Sequence, residues 1–261
     1  MKGMGVPFME GNIDWHHKSK ITNEEIDEIL SALEDWTIRK RGLNTVYQLA
    51  KKNPNIVYLG SDVGVGTLKE FQEEMPDRYF VEGIAEAYVV GLAAGLAMSG
   101  KIPFVNTIAT FLTRRCYDQI AVDVCMGNHD VRLYANGGGL VYAPLGPTHL
   151  ATDDIALMRA LPNMTVIAPA DADEMERAVR ASEKHKGPVY FRVARGGDPL
   201  VPQDEHKFQI GKAIVLREPK EILLIASGIM VYRAIEVADQ LKSEGIQTGV
   251  INMHTIKPLD V

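Results

Sequence analysis

A chain of 261 residues has room for one large or two smaller domains, and 46% apolar with 24% charged residues is the ordinary balance of a globular protein. Its 28 Lys and Arg stand against 34 Asp and Glu, so no basic surplus is available to hold a phosphate backbone, which argues against nucleic-acid binding. No apolar run reaches membrane length and no signal-peptide pattern is present. The two cysteines, Cys116 and Cys125, are too few for a disulfide framework and fit two reduced thiols in a cytoplasmic protein.

Residues 1–35 read as a tail. Gly3, Gly5 and Pro7 suggest loop, and Thr22-Asn23-Glu24-Glu25 opens a helix with the apolar stripe Ile26, Ile29, Leu30 and Leu33. The polar stretch 35–42 reads as a linker. Strand and helix signals then alternate: helix 43–52, strand 56–59 with the turn Gly60-Ser61-Asp62, and strand 78–81. Next comes 84–98, apolar or small at every position but Glu86. A helix that is apolar all round is expected to be buried, and its many Ala and Gly residues let backbones come close. Strand 102–106, helix 111–126 and strand 131–135 follow, the last running into Asn136-Gly137-Gly138-Gly139. Helix 153–160, strand 165–168, helix 172–185 and strand 189–193 complete the series. A Gly- and Pro-rich break, 195–202, precedes strand 222–225, helix 229–243 and strand 249–252, a thin core for a separate domain.

Apolar strands alternating with helices predict an α/β fold, a parallel sheet with helices on both faces. The expected organisation is a tail over 1–36, this domain over 37–200, and an incomplete second α/β domain over 203–261. Such sheets bind ligands at the carboxyl ends of their strands, and Asp62, Thr107 and Gly137 lie just past such ends. Glu86, in the first turn of an apolar helix, needs a partner or must hold its proton. Two readings stand for it: a carboxylate favoured by its own helix dipole, or a functional group. Familiar signatures fail. Gly64-Val65-Gly66 lacks the third glycine of a dinucleotide loop, Lys69 standing in its place. No Walker loop, zinc-ligand spacing or Gly-x-Ser-x-Gly elbow occurs.

Three stretches carry a resemblance. Gly83-Ile84-Ala85-Glu86 resembles the motif bearing the cofactor-activating glutamate of transketolase-type enzymes, in their pyrimidine-binding domain for thiamine diphosphate. Thr110 to Ile120 resembles the segment whose aromatic residues pack on the cofactor pyrimidine; Phe111 and Tyr117 match two of those positions, while a third, often aromatic, is Arg114. Gly146-Pro147-Thr148-His149 resembles the loop whose histidine faces substrate hydroxyls, although by itself a loop histidine is more often a plain surface residue. Leu145 stands where an acidic residue often precedes that loop, and Gly137 where a substrate-binding histidine is often seen. Arg195 matches a position that holds substrate phosphate, and Arg39 matches another more weakly. Residues 5–18 resemble the end of the diphosphate-binding domain, with His16 beside the cofactor diphosphate.

The resemblance implies a fold of the thiamine diphosphate-binding pyrimidine-domain type and a site assembled from two domains. Glu86, Phe111, Tyr117, Asp62 and His16 would serve the cofactor; Glu86 and His149 would be catalytic; and His149, Arg195 and Arg39 would meet substrate. Magnesium or calcium would be held by a diphosphate-binding domain outside this chain. The implied activity is transfer of a two-carbon ketol unit from a ketose or its phosphate to an aldose. The chain would supply one half of the site, be inactive alone, and work as a homo-oligomer or with a partner subunit. A deoxyxylulose-phosphate synthase-like enzyme and a non-catalytic assembly subunit are the alternatives. The catalytic role requires Glu86 to face the site and not be locked onto an arginine of its own domain.

Overall fold

In the computed structural model, residues 37–61, 68–194, 198–202, 208–218 and 220–261 are described. Ile56–Gly60 (β1) and Arg132–Asn136 (β4) are buried at every position, as strands covered on both faces must be. With Tyr79–Val81 (β2), Ile102–Ile108 (β3), Thr165–Ile167 (β5) and Val189–Val193 (β6) they form a parallel sheet. Three more strands, Ile214–Arg217 (β7), Ile222–Ala226 (β8) and Thr248–Asn252 (β9), make a second sheet in the order β7-β9-β8. The last, Thr255–Lys257 (β10), returns to the first sheet and pairs antiparallel with β5. The large sheet is thus mixed, mostly parallel and seven-stranded, in the order β10-β5-β6-β4-β3-β1-β2. Because β1 lies between β2 and β3, the strand order reverses there, the kind of switch point at which open sheets leave room for a ligand.

Two cores cover the two faces. On one, Ile38–Ala50 (α1), Lys69–Glu74 (α2) and Ala172–Ser182 (α5) bury Leu43, Phe71 and Met175 against Tyr58, Phe104 and Tyr134. On the other, Glu86–Met98 (α3), the segment after β3, and Asp154–Ala160 (α4) bury Val90, Leu112, Ile120 and Met158 against Val105 and Leu133. The second sheet carries one helix, Met230–Ser243 (α6). No described helix is long and apolar enough to cross a membrane.

Three expectations are corrected, and three elements appear that none foresaw. The linker reading of 35–42 fails from Ile38 onward. Thr37 accepts a hydrogen bond from the Lys40 amide (3.2 Å) and starts α1 there, with Ile38 and Gly42 turned inward behind the charged run Arg39-Lys40-Arg41. The helix expected over 111–126 is not a plain α-helix. Phe111–Arg115 and Ile120–Cys125 are π-helical around a short turn, Tyr117–Gln119, so that Met126 N–H reaches back five residues to the Ala121 carbonyl (3.1 Å). The helix α3 is buried on one side only. Val89, Val90, Ala93 and Ala94 face the sheet, whereas Ile84, just before it, Tyr88 and Met98 are exposed. A Cβ added at Gly91 or Gly95 would meet nothing within 4 Å, so among the described residues no element makes the close approach those glycines permit. Finally, α2, β7 and β10 had no sequence signal. Through β10, residues within the second α/β domain expected over 203–261 pair with the first sheet.

Candidate active site

Three parallel strands deliver three segments to the same sheet edge: α3 after β2, the π-helical turn after β3, and the glycine loop after β4. Glu86 opens α3 with its side chain 5% exposed. A carboxylate so buried needs a counter-charge, and it has one. Arg115 Nη1 lies 3.1 Å from Oε1 and 3.3 Å from Oε2. The same guanidinium carbon sits 3.8 Å from the centre of the Phe111 ring, a cation–π contact. Phe111 in turn meets the His149 ring edge-on, centroids 5.0 Å apart at 64°. His149 also shares a hydrogen bond with Thr148 Oγ1 through Nδ1 (2.9 Å). Glu86, Arg115, Phe111 and His149 therefore form one chain of contacts drawn from three segments far apart in sequence.

The expectation that Glu86 is not locked onto an arginine of its own domain is contradicted: Arg115 holds it, and a catalytic role requires that arginine to leave the carboxylate. The reason is geometric: the π-turn after Phe111 carries Arg115 over the ring and onto the carboxylate. Arg115 is nevertheless 49% exposed, and Glu86 is its only hydrogen-bond partner among the described residues, so the pair is closed on its carboxylate side and open on the water side. Arg114, at the position often aromatic, turns away to make three contacts of 2.9–3.2 Å with Asp153, an exposed pair.

Beneath this cluster, the strand ends are joined by a buried polar chain. Asn136 donates to Asn106 Oδ1 (2.6 Å) and to the Thr107 carbonyl (3.1 Å), Asn106 donates to the Tyr58 hydroxyl (2.7 Å), and Ser61 and Thr107 share a hydrogen bond (2.9 Å). Asn136 Oδ1 is buried with no hydrogen-bond partner. The thiols of Cys116 and Cys125 are free and buried, and burial pushes them up to about 12 and about 11, which leaves them unreactive.

Of the residues singled out in the sequence, Glu86, Phe111 and His149 are brought together. Tyr117 is half-buried and packs against the core on the α3 face without joining the cluster by a hydrogen bond or ring contact among the described residues. Arg39 lies in the first turn of α1, on the opposite face of the sheet, where its carbonyl accepts from Tyr134 (2.9 Å). His16, Asp62 and Arg195 lie outside the described residues. Sequence reasoning missed Arg115, although its quoted segment contained it, because helical spacing does not distinguish Arg114 from Arg115 when the turn is widened. It also missed the paired acids Asp153 and Asp154, whose only signal was two carboxylates at a helix start.

A family model described as the transketolase pyrimidine-binding domain matches residues 35–197, and one described as the transketolase C-terminal domain matches 211–261. The chain is 43% identical over 214 residues to an uncharacterised transketolase family protein of Sinorhizobium fredii, covering 81% of this chain and 62% of that protein. It is 35% identical over 229 residues to a 6-deoxy-6-sulfo-D-fructose transketolase subunit of a Clostridium species (87% and 71%). It is also 40% identical over 222 residues to the 1-deoxy-D-xylulose-5-phosphate synthase of Microcystis aeruginosa, covering 83% of this chain and 35% of that enzyme. Among solved structures it is similar to a split-gene transketolase described as an inactive β4 tetramer: TM-score 0.78, 37% identity, 86% of this chain and 73% of that one. The chain thus spans between about a third and about three quarters of the length of these relatives.

Proposed function

The chain belongs to the transketolase family, which implies dependence on thiamine diphosphate, and from that premise we propose that it supplies the pyrimidine-side half of a two-carbon ketol transferase site. The observation that carries this reading is Glu86, buried in the first turn of α3 and held at the same sheet edge as Phe111 and His149. The donor set suits the pyrimidine end of the cofactor: a carboxylate for a ring nitrogen and a flat apolar ring beside it. It does not suit the other end. Among the described residues no group of three His, Cys, Asp or Glu could hold a metal. We assign the metal, magnesium or calcium, to a diphosphate-binding domain supplied from elsewhere in the assembly.

Thiamine diphosphate, when bound, supplies the nucleophilic carbon that accepts and passes on the two-carbon unit. The protein's part is to bind, orient and move protons. Glu86 would hold a pyrimidine ring nitrogen through its carboxylate and could carry a proton there, for which Arg115 has to release that carboxylate. Phe111 and Tyr117 give the ring apolar surface. His149 orients substrate hydroxyls or carries a proton at a ring nitrogen. Asp62 and His16 complete the cofactor contacts and Arg195 meets substrate phosphate, while Arg39, on the opposite face of the sheet, is left out of this site.

The uncovered face of α3, with Tyr88, Met98 and the open Gly91 and Gly95, supports assembly with a second copy or a partner subunit at this helix. The two buried free thiols fit a cytoplasmic location. On this reading the isolated chain turns over little or nothing. The test is Glu86→Ala in the complete assembly. Loss of transfer supports the reading, and undiminished transfer would make the chain a non-catalytic assembly subunit. The identity to 1-deoxy-D-xylulose-5-phosphate synthase favours one second reading, a synthase of that kind, which analysis of the products from a keto acid against a ketose donor separates.

A further inference from the structure

We propose that Asp154, acting through Arg192, is a positioning residue that sets the place of His149. The inference rests on the transferase reading for what His149 does, but its geometry stands apart from it. His149 sits in a loop whose neck is closed by two hydrogen bonds: Gly139 N–H to the Ala151 carbonyl (2.8 Å) and Ala151 N–H to the Gly139 carbonyl (3.0 Å). Between those two residues the chain makes only a short 3₁₀ turn, Ala143–Leu145, and this turn is exposed. The base of the loop is therefore set at the neck, while His149 itself meets the Phe111 ring.

The neck lies on Arg192. A Cβ added to Gly138 would come within 2.5 Å of Arg192 Cγ, and one on Gly139 within 2.9 Å of Arg192 Nη2, so the backbone of both glycines rests directly along that side chain. Arg192 also reaches the Ala151 carbonyl at 3.5 Å. Arg192 is held in turn by Asp154. One carboxylate oxygen, Oδ2, accepts from Arg192 Nε (2.8 Å) and from the Tyr190 hydroxyl (2.9 Å), while Oδ1 is buried with no hydrogen-bond partner. At 1% exposure, a carboxylate with an idle oxygen is an expensive way to fill space. Its one evident product is a guanidinium fixed in plane under the glycine neck, where a shorter or rotating cation would not lie flat.

The start of α4 acts in a second direction as well. Asp153 holds Arg114, the neighbour of the arginine that grips Glu86. The two adjacent acids therefore reach two of the three segments of the site, Asp153 directly through the exposed and weaker pair with Arg114 and Asp154 through Arg192, the buried pair that aims His149.

The first measurement is amide hydrogen exchange on the full chain. Arg192→Lys and Asp154→Asn are expected to speed exchange across 138–151 about tenfold or more, with the amides of β3, β4 and β6 unchanged. Unchanged exchange in that segment, or faster exchange spread evenly over the chain, would overturn the proposal. Should Asp154→Asn not fold, Arg192→Lys, which keeps the charge and loses only the planar fork, carries the test. The second measurement is a double-mutant cycle in the complete assembly. Asp154→Asn is expected to lower kcat/KM for the sugar about tenfold, and by less than twofold when His149→Ala is already present. Equal losses in both backgrounds would show that Asp154 does not act through His149. If His149→Ala or Glu86→Ala leaves transfer intact, it is the transferase reading that fails, and the exchange result still decides whether Asp154 positions the loop.

Discussion

Two buried glutamates in this molecule stand in the first turns of helices and live in different surroundings. Glu86, 5% exposed, is satisfied by one guanidinium that is itself half in water and rests on an aromatic ring next to a histidine. Glu174, fully buried near the start of α5, is satisfied by fixed donors: the Ala170 amide (2.6 Å) and Asn252 Nδ2 (2.7 Å), from the far side of the junction between the two sheets. Burial pushes Glu174 up to about 7. The contrast teaches that a buried acid is no marker of chemistry by itself. What distinguishes Glu86 is that its partner can leave toward solvent and that groups able to meet a ligand stand beside it.

The sharpest way to break that contrast is to exchange the consequences of the two residues. Glu86→Ala in the assembly is expected to cost transfer about 10³-fold, in the range of a lost proton-transfer group. Glu174→Gln is expected to leave transfer within about threefold, because Asn252 can turn its amide to meet the new donor. Rates measured side by side decide it, and equal losses would erase the distinction.

The second largest effect is on the pH dependence of stability. With its folded pKa raised to about 7 from the ordinary 4.5, Glu174 leaves stability intact below about pH 4.5 and takes it away as pH rises to 7, by up to about 3 kcal/mol. Asp171, also raised by burial, has the same sign. His254, at the same junction and stacked on Phe208, is pushed down to about 4 by burial, with Arg177 adding to the effect. It works the other way: its contribution is present above about 6.5 and is lost as pH falls toward 4. The two slopes oppose each other over one window. Denaturant titrations from pH 4.5 to 7 should therefore find the natural chain nearly flat, Glu174→Gln gaining stability with rising pH, and His254→Phe losing it. Parallel curves for all three would show that neither group is held as the structure has it.

Arg115→Met strands the Glu86 carboxylate and should cost about 1–2 kcal/mol of folding stability, discounted for the exposed side of the pair. Adding Glu86→Gln should restore most of it. A double variant as unstable as the sum of its parts would mean the two do not form a pair. The smallest effect on folding is expected at Tyr88. Tyr88→Glu should change the stability of the isolated chain by less than about 0.5 kcal/mol, since this side chain is 59% exposed, yet shift the assembly toward smaller species in sedimentation. An unchanged assembly would remove this face from the interface.

Much of the scaffold was legible because buried parallel strands are short unbroken apolar runs. Val189–Val193 was read to the residue, and β1, β3, β4 and β5 to within two at either end. The first turn of α1 was hidden, since three consecutive basic residues look like a break until Thr37 is seen capping them. For the candidate site, the identities of Glu86, Phe111 and His149 came from local wording, while the arrangement among them did not. Whether Arg114 or Arg115 meets Glu86 depends on a π-turn, and a five-residue turn has no distinct apolar periodicity.

What the sequence by itself determined is the alternation of apolar strand and helix, hence the layered sheet, the edge at which a ligand can sit, and the chemical groups sent there. Tertiary structure alone decided the rest. It placed Arg115 on Glu86, brought Asn252 to Glu174 across 78 residues of chain, laid the glycine neck on Arg192, turned β10 antiparallel into the first sheet, and left one face of α3 uncovered. The physical reason is that periodicity and propensity act over a few neighbouring residues. A buried charge finds its partner, and a close approach its neighbour, only once distant segments have been packed together.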